Sequence, residues 1–251
     1  MDNMDNMDNI ENKKNLTIVF CLPGKHFTNN FLLAWSKLLS WCLYNNIKPL
    51  IVNRTNSNVY YVRNSCLGGG TLLGKNQKPF NNEINYDYIM WIDSDQVFTE
   101  HDFTNLLTSN ENIVSGLYLM ENGSMFATVP VYDDKYFNEF GTYEFLTKEQ
   151  LDIIKSPNTI NNSKYKDLIK KDNTNLLEVS YTGFGFMLIK KGVFESLEYP
   201  WFRPLWKEID ENIHEFMSED VSICELFKKK NYKIYVNINV VVGHEKSLII
   251  N

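Results

Sequence analysis

The apolar run at residues 16–22 (LTIVFCL) stops at Pro23-Gly24, and its connection to the next apolar run narrows the fold more than any other feature. From residue 27 to 44 apolar side chains recur at helical spacing (Phe31, Leu32, Trp35, Leu38, Leu39, Cys42), until Asn45-Asn46 ends the pattern. A second apolar run occupies residues 50–52. Strand, helix, strand with a crossover of this length predicts parallel pairing and the opening of an α/β domain. The same alternation continues. The spacing predicts a short helix over 58–66, stopped by Gly68-Gly69-Gly70, and a loop over 71–85. A third strand over 86–92 (YDYIMWI) runs straight into Asp93-Ser94-Asp95. Thr99 with Asp102 forms a capping box for the next helix, and residues 113–119 make a fourth strand.

The second half reads as an embellishment of this frame. Residues 132–175 are polar, with a modest helix at 148–154, and are expected to leave the core. Short strands are expected at 178–181 and 186–189, and a helix at 191–197. The aromatic, Pro-interrupted stretch 199–206 is expected to be a loop. Ser218 is expected to cap a helix reaching Lys230, and 232–242 is a last strand ending at Gly243-His244. The expected whole is a mostly parallel, Rossmann-like sheet flanked by helices, in one domain spanning 15–251.

Composition sets the outer limits. The 251 residues are 43% hydrophobic and 22% charged, which excludes a disordered chain or a collagen-like fibre. A net charge of -6 argues against a phosphate-neutralising face and hence against stable nucleic-acid binding. Cys21, Cys42, Cys66 and Cys224 form no CxxC pair and read as buried thiols of a reducing, cytoplasmic compartment. Residues 1–14, opening with Met-Asp-Asn three times over, read as a disordered polar tail and as neither signal peptide nor membrane anchor. No transmembrane segment is expected.

Ligands of open α/β sheets gather at the carboxyl ends of strands, and the polar residues of interest stand there. Asp93 and Asp95, one residue apart past a buried strand, are of the type that binds Mg2+ or Mn2+ while leaving positions for phosphate. His244 comes after another apolar strand and is a suitable further ligand. Glu219-Asp220 in a first helical turn either serve the helix dipole or face a substrate hydroxyl as a base. Arg63, one of only three arginines, stands with Asn64 where it reads either as a surface residue or as a phosphate contact. In Thr182-Gly183-Phe184-Gly185 the glycines allow close backbone approach, by a ligand or as a simple bulge. Trp201, Phe202 and Trp206 either pack a core or stack on a sugar.

Taken in order, these pieces resemble nucleotide-sugar-dependent glycosyltransferases of the GT-A fold, especially compact bacterial and viral members. The series is Pro23-Gly24, Arg63-Asn64, Trp91-Ile92-Asp93-Ser94-Asp95, Val114-Ser115-Gly116-Leu117-Tyr118, Thr182 to Ile189, Ser218-Glu219-Asp220 and Val242-Gly243-His244. The resemblance implies that Pro23, Gly24, Arg63, Asp93, Ser94 and Asp95 bind the donor nucleotide. It implies that Asp95, His244 and Asp93 hold Mn2+ or Mg2+. Asp220, with Glu219 beside it, would be the base of an inverting transfer, and Gly183, Phe184, Trp201 and Trp206 would border the acceptor and sugar. The implied reaction moves a sugar from a nucleoside diphosphate, UDP by default, to a glycan or other hydroxyl-bearing acceptor. Two other classes share these features: a non-catalytic carbohydrate-binding protein of the same fold, and a sugar-phosphate nucleotidyltransferase. The latter wants a better phosphate-gripping loop than Pro23-Gly24-Lys25.

Overall fold

The structure, a computed structural model, describes residues 15–156 and 158–246. The expected tail at 1–14 lies outside the described residues. The order along the chain is β1 (Thr17–Pro23), α1 (Asn29–Tyr44), β2 (Lys48–Arg54), α2 (Val59–Cys66), β3 (Tyr88–Ile92), β4 (Gln96–Val97), α3 (Glu100–Ser109) and β5 (Ile113–Leu117). Next come β6 (Thr128–Val129), α4 (Asp134–Phe140), α5 (Lys148–Lys155), β7 (Leu176–Glu178), β8 (Tyr181–Thr182) and β9 (Phe186–Lys190). The last elements are β10 (Trp206–Glu208), β11 (His214–Phe216), α6 (Glu219–Lys229), β12 (Tyr235–Val241) and β13 (Gly243–His244).

Seven strands form the central sheet in the order β2-β1-β3-β9-β5-β12-β7. The opening is parallel: β1 pairs with β2 and with β3 in that sense. The expectation of a mostly parallel GT-A, Rossmann-like sheet is nevertheless overturned. Strand β9 runs antiparallel to both of its neighbours, β3 and β5, and β7 runs antiparallel to β12. With the three small two-stranded pairings, also antiparallel, the parallel pairs are in the minority. The physical reason is that β9 is buried on both faces, so its apolar run carries no mark of direction. After the long excursion beyond β5, the chain re-enters the sheet from the edge where β1 and β3 end.

The sheet is filled on both sides because alternate residues point to opposite faces. Val19, Cys21, Ile89, Trp91, Met187 and Ile189 belong to one core, and Ile18, Phe20, Met90, Ile92, Phe186 and Leu188 to the other. Helices α1 and α3 cover the second face through Phe31, Leu38, Phe103 and Leu106. Helix α6 covers the first through Ile223 and Phe227. The excursion is not merely a surface decoration, since Leu146, Leu151, Ile154 and Tyr165 join that first core.

Local signals account for most element ends. Thr99 and Asp102 make both halves of the capping box. Ser218 precedes α6 without a side-chain cap bond, contrary to expectation. The helix expected at 191–197 shrinks to one short turn (Phe194–Ser196), because Gly192 adopts φ 100°. The stretch after residue 205 forms the hairpin β10–β11 rather than only a loop. All four cysteines are buried and free. Among the described residues no helix is long and apolar enough to cross a membrane.

Candidate functional site

The mixed sheet gathers the chemistry at one edge. Strands β1 and β3 are parallel neighbours, so Pro23-Gly24 and Asp93-Ser94-Asp95 emerge side by side. Gly24 has φ 149°, and a Cβ there would stand 2.6 Å from Ser94 Cβ. No larger residue fits between the two turns. Strand β9, being antiparallel, begins where β3 ends. Its preceding Gly185 therefore accepts the Asp93 amide at 2.9 Å. A parallel β9 would have carried this glycine segment to the far side of the molecule. Tyr118 leaves β5 at the same edge, and a Cβ on Gly183 would stand 1.8 Å from its hydroxyl oxygen.

Two charged centres occupy this edge. The inner one is built around Arg63, which is 3% exposed. Its guanidinium meets Asp93 as a two-pronged fork, Nη1 to Oδ1 at 3.1 Å and Nη2 to Oδ2 at 3.2 Å. Glu219 Oε1 lies 3.7 Å from its Nε, and Asp220 Oδ1 lies 3.7 Å from its Nη2. Below the charge are aromatic rings: Phe184, Trp91 and Phe202 have centroids 5.3, 5.6 and 6.0 Å from the guanidinium carbon. Burial works to lower the Arg63 pKa, but the three carboxylates outweigh it and hold it above its ordinary value. Arg63 Nε and Asp220 Oδ1 are both shut away from solvent without a hydrogen-bond partner. Burial pushes the Asp220 carboxyl up to about 8, with Arg63 pulling it back and Glu219 and Asp93 lifting it further. The nearby Phe184 backbone also pulls it back.

The outer centre is more open. Asp95 Oδ2 lies 3.1 Å from His244 Nε2 and 2.8 Å from Lys246 Nζ. His244 Nδ1 lies 2.7 Å from the Leu119 carbonyl, which can only accept, so Nδ1 carries a proton and donates. A backbone carbonyl holding one ring nitrogen leaves the other aimed at a ligand, as in metal-binding histidines. Strand β13 fixes this geometry by pairing His244 with Gln96, next to Asp95. Burial tends to raise the Asp95 carboxyl, but the Lys246 hydrogen bond and the His244 and Lys246 charges outweigh it and hold it below the ordinary value.

The expected metal-binding role of the Asp-x-Asp pair needs correction. Among the described residues no group of three or more His, Cys, Asp or Glu side chains is arranged to hold a metal ion. Asp93 is taken up by the Arg63 fork, leaving only Asp95 and His244 together.

Most donor-side residues named from the sequence meet in space. A cleft of about 630 Å³ is lined by Pro23, Gly24, Lys25, Arg63, Asp93, Ser94, Asp95 and Glu219, with Thr55, Asn56, Ser57, Val59 and Val62. The acceptor-side set does not assemble. Phe184 and Trp201 are fully buried, Gly183 packs on Tyr118, and Trp206 stands 55% exposed on the β10–β11 hairpin. Sequence reasoning assigns no role to Tyr118 or Lys246. Only the backbone course shows that Tyr118 fills the space left by two glycines and that Lys246 reaches Asp95. Comparison with protein-family models and with curated proteins returns no match.

Proposed function

We propose that the chain is a metal-dependent glycosyltransferase that takes a sugar from a nucleoside-diphosphate donor, by default a UDP-sugar, and passes it with inversion to an acceptor hydroxyl. The observation that carries this reading is the cleft of about 630 Å³, with Asp95 and Glu219 in its lining, His244 beside Asp95 and Asp220 next to Glu219. Its size suits a ligand of nucleotide dimensions. The polar loop Thr55-Asn56-Ser57 offers donors and acceptors to a base and ribose, and Lys25 brings positive charge to the lining.

The charge balance supports a divalent cation. Asp93, Asp95 and Glu219 line the cleft, with Asp220 behind them, against Arg63, Lys25 and the Lys246 ammonium on Asp95. A diphosphate would add further negative charge. Asp95 Oδ2 and His244 Nε2 face one another at 3.1 Å, and the Lys246 ammonium already sits on the same oxygen. This is a place that attracts a cation, and Mn2+ or Mg2+ fits it with two protein ligands, the phosphates supplying others. When bound, such an ion offsets charge on the leaving diphosphate.

The chain's own residues do the rest. Arg63 holds Asp93, Glu219 and Asp220 in register from beneath. Asp220 takes the acceptor proton as the acceptor oxygen bonds to the anomeric carbon and the carbon–phosphate oxygen bond breaks, releasing nucleoside diphosphate. A carboxyl raised to about 8 by burial is a stronger base than an exposed one. We place the reaction in the cytoplasm, where the four free thiols are at home.

The test is a thermal-shift panel of UDP, GDP, CMP and ADP, each with and without Mn2+, on the native chain and on Asp95→Ala. A ligand that binds only the folded form raises the melting temperature. The expected result is a Mn2+-dependent shift for one nucleotide that is lost in Asp95→Ala. No shift with any nucleotide on the folded native chain contradicts the proposal.

A further inference from the structure

The β10–β11 hairpin presents an aromatic platform. Its strands pair Trp206 with Phe216 and Glu208 with His214, so these four side chains share one face. Trp206 is 55% and Phe216 64% exposed, and their rings meet edge to face at 4.6 Å. The His214 ring lies along Trp206 at 5.3 Å and 25°, and Trp206 Nε1 donates to His214 Nδ1 at 3.1 Å. The platform is thus ordered by its own contacts while its outer face stays open.

The opposite face of the hairpin is tied down. Lys207 Nζ lies 3.2 Å from the Tyr132 ring centroid and 3.7 Å from Asp134. The hairpin base is fastened to the helix that carries Asp220. The Met217 amide donates to the Leu205 carbonyl, the Leu205 amide to Ser222 Oγ, and the Tyr60 hydroxyl to the Met217 carbonyl. The next residues are Ser218-Glu219-Asp220. The open rings are therefore held at a set distance from the candidate base, on a rigid support.

We propose that Trp206, Phe216 and His214 form the docking site for a neutral glycan acceptor, whose pyranose faces stack on the rings. This deepens, and rests on, the glycosyltransferase reading. Charge selects the occupant. Glu208 shares the platform's face, and Asp210, Glu211 and Glu215 lie in the same hairpin, against the single Lys207, itself engaged on the other side. That fringe repels nucleic acid, acidic lipid and anionic polysaccharide, and its carboxylates accept hydrogen bonds from vicinal hydroxyls. Flat rings bordered by carboxylates match a ligand that alternates C–H faces with hydroxyl edges.

The test is direct binding, without nucleotide or metal, of defined hexasaccharides (cellohexaose, maltohexaose, chitohexaose, mannohexaose), with a heparin hexasaccharide as the anionic probe. The native chain is expected to bind at least one neutral probe and not heparin. Trp206→Ala and Phe216→Ala are each expected to weaken that binding about tenfold, and Trp206→Phe to restore part of it. Melting curves of the variants check the fold, and light scattering checks self-association. Failure of every neutral probe, binding unaffected by both alanine variants, preference for heparin, or a native dimer dissolved by Trp206→Ala overturns the proposal. Because no donor is present, a chain that fails the nucleotide panel still gives a result here, so the two readings fail separately.

Discussion

Asp93 and Asp95 are one residue apart in one turn, yet they belong to different surroundings. Asp93 is gripped by both prongs of a buried arginine, with Glu219 and Asp220 on the far side of the same cation. Asp95 faces the cleft, beside a histidine oriented from behind and a lysine that is 40% exposed. The first centre has three carboxylates for one fixed cation and is part of the fold. The second has one carboxylate shared by an imidazole and an ammonium at the edge of the cleft. The pair teaches that spacing alone does not assign a carboxylate: the partner that reaches it first does.

The largest expected effect comes from breaking the inner centre. Arg63→Met leaves Asp93, Glu219 and Asp220 crowded at the sheet edge with no fixed counter-charge. Breaking a buried ion pair from one side typically costs about 3–5 kcal/mol, and urea denaturation of this variant should show a loss of that order. Arg63→Lys should recover only part of it, because an ammonium cannot form the fork to Asp93. A loss below about 1 kcal/mol in Arg63→Met would erase the contrast between the centres.

The next effect is on chemistry. Asp220→Asn should lower transfer about 100-fold or more while the Mn2+-dependent nucleotide shift remains. In the native chain transfer should rise with pH through about 8, where the raised Asp220 carboxyl loses its proton. Stability should move the other way. The folded-state carboxyl sits above its unfolded value, so the stability it allows is full in acid and declines as pH rises through about 8. Asp220→Asn should flatten that decline, which melting curves from about pH 5 to about pH 9 would reveal.

The smallest effect sharpens the outer centre. Lys246→Ala removes a half-exposed ion pair and should change stability by less than about 1 kcal/mol. With the competing ammonium gone from Asp95, Mn2+ with the responding nucleotide should bind at least as tightly as to the native chain. Weaker binding would make Lys246 a ligand-holding residue instead of a place-holder.

Much of the fold is legible in the residues, and the illegible part has physical causes. The alternation of apolar periods marks β1, α1, β2 and β3, and the capping box marks the start of α3. Pro23-Gly24, Arg63 and Asp93-Ser94-Asp95 can be put at one edge because parallel strands end together. Strand direction is not legible. The apolar run of β9 reads the same from either end, and only its place between β3 and β5 shows it to be antiparallel. The fates of Trp201 and Trp206 are not legible either, since both are large rings in one aromatic stretch. Trp201 lies in the core, while Trp206 begins a hairpin whose outer face has no packing partner from the sheet. The division between Asp93 and Asp95 depends on Arg63 and Lys246, each distant in sequence.

The most direct test of the central contrast is thermal melting of Asp93→Ala and Asp95→Ala side by side, free of metal and nucleotide. Asp93→Ala is expected to melt many degrees below the native chain, since it takes both hydrogen-bond acceptors from the buried Arg63 fork and leaves only Glu219 and Asp220 at 3.7 Å, while Asp95→Ala is expected to melt close to it. Equal losses in the two variants, or a greater loss in Asp95→Ala, would contradict it.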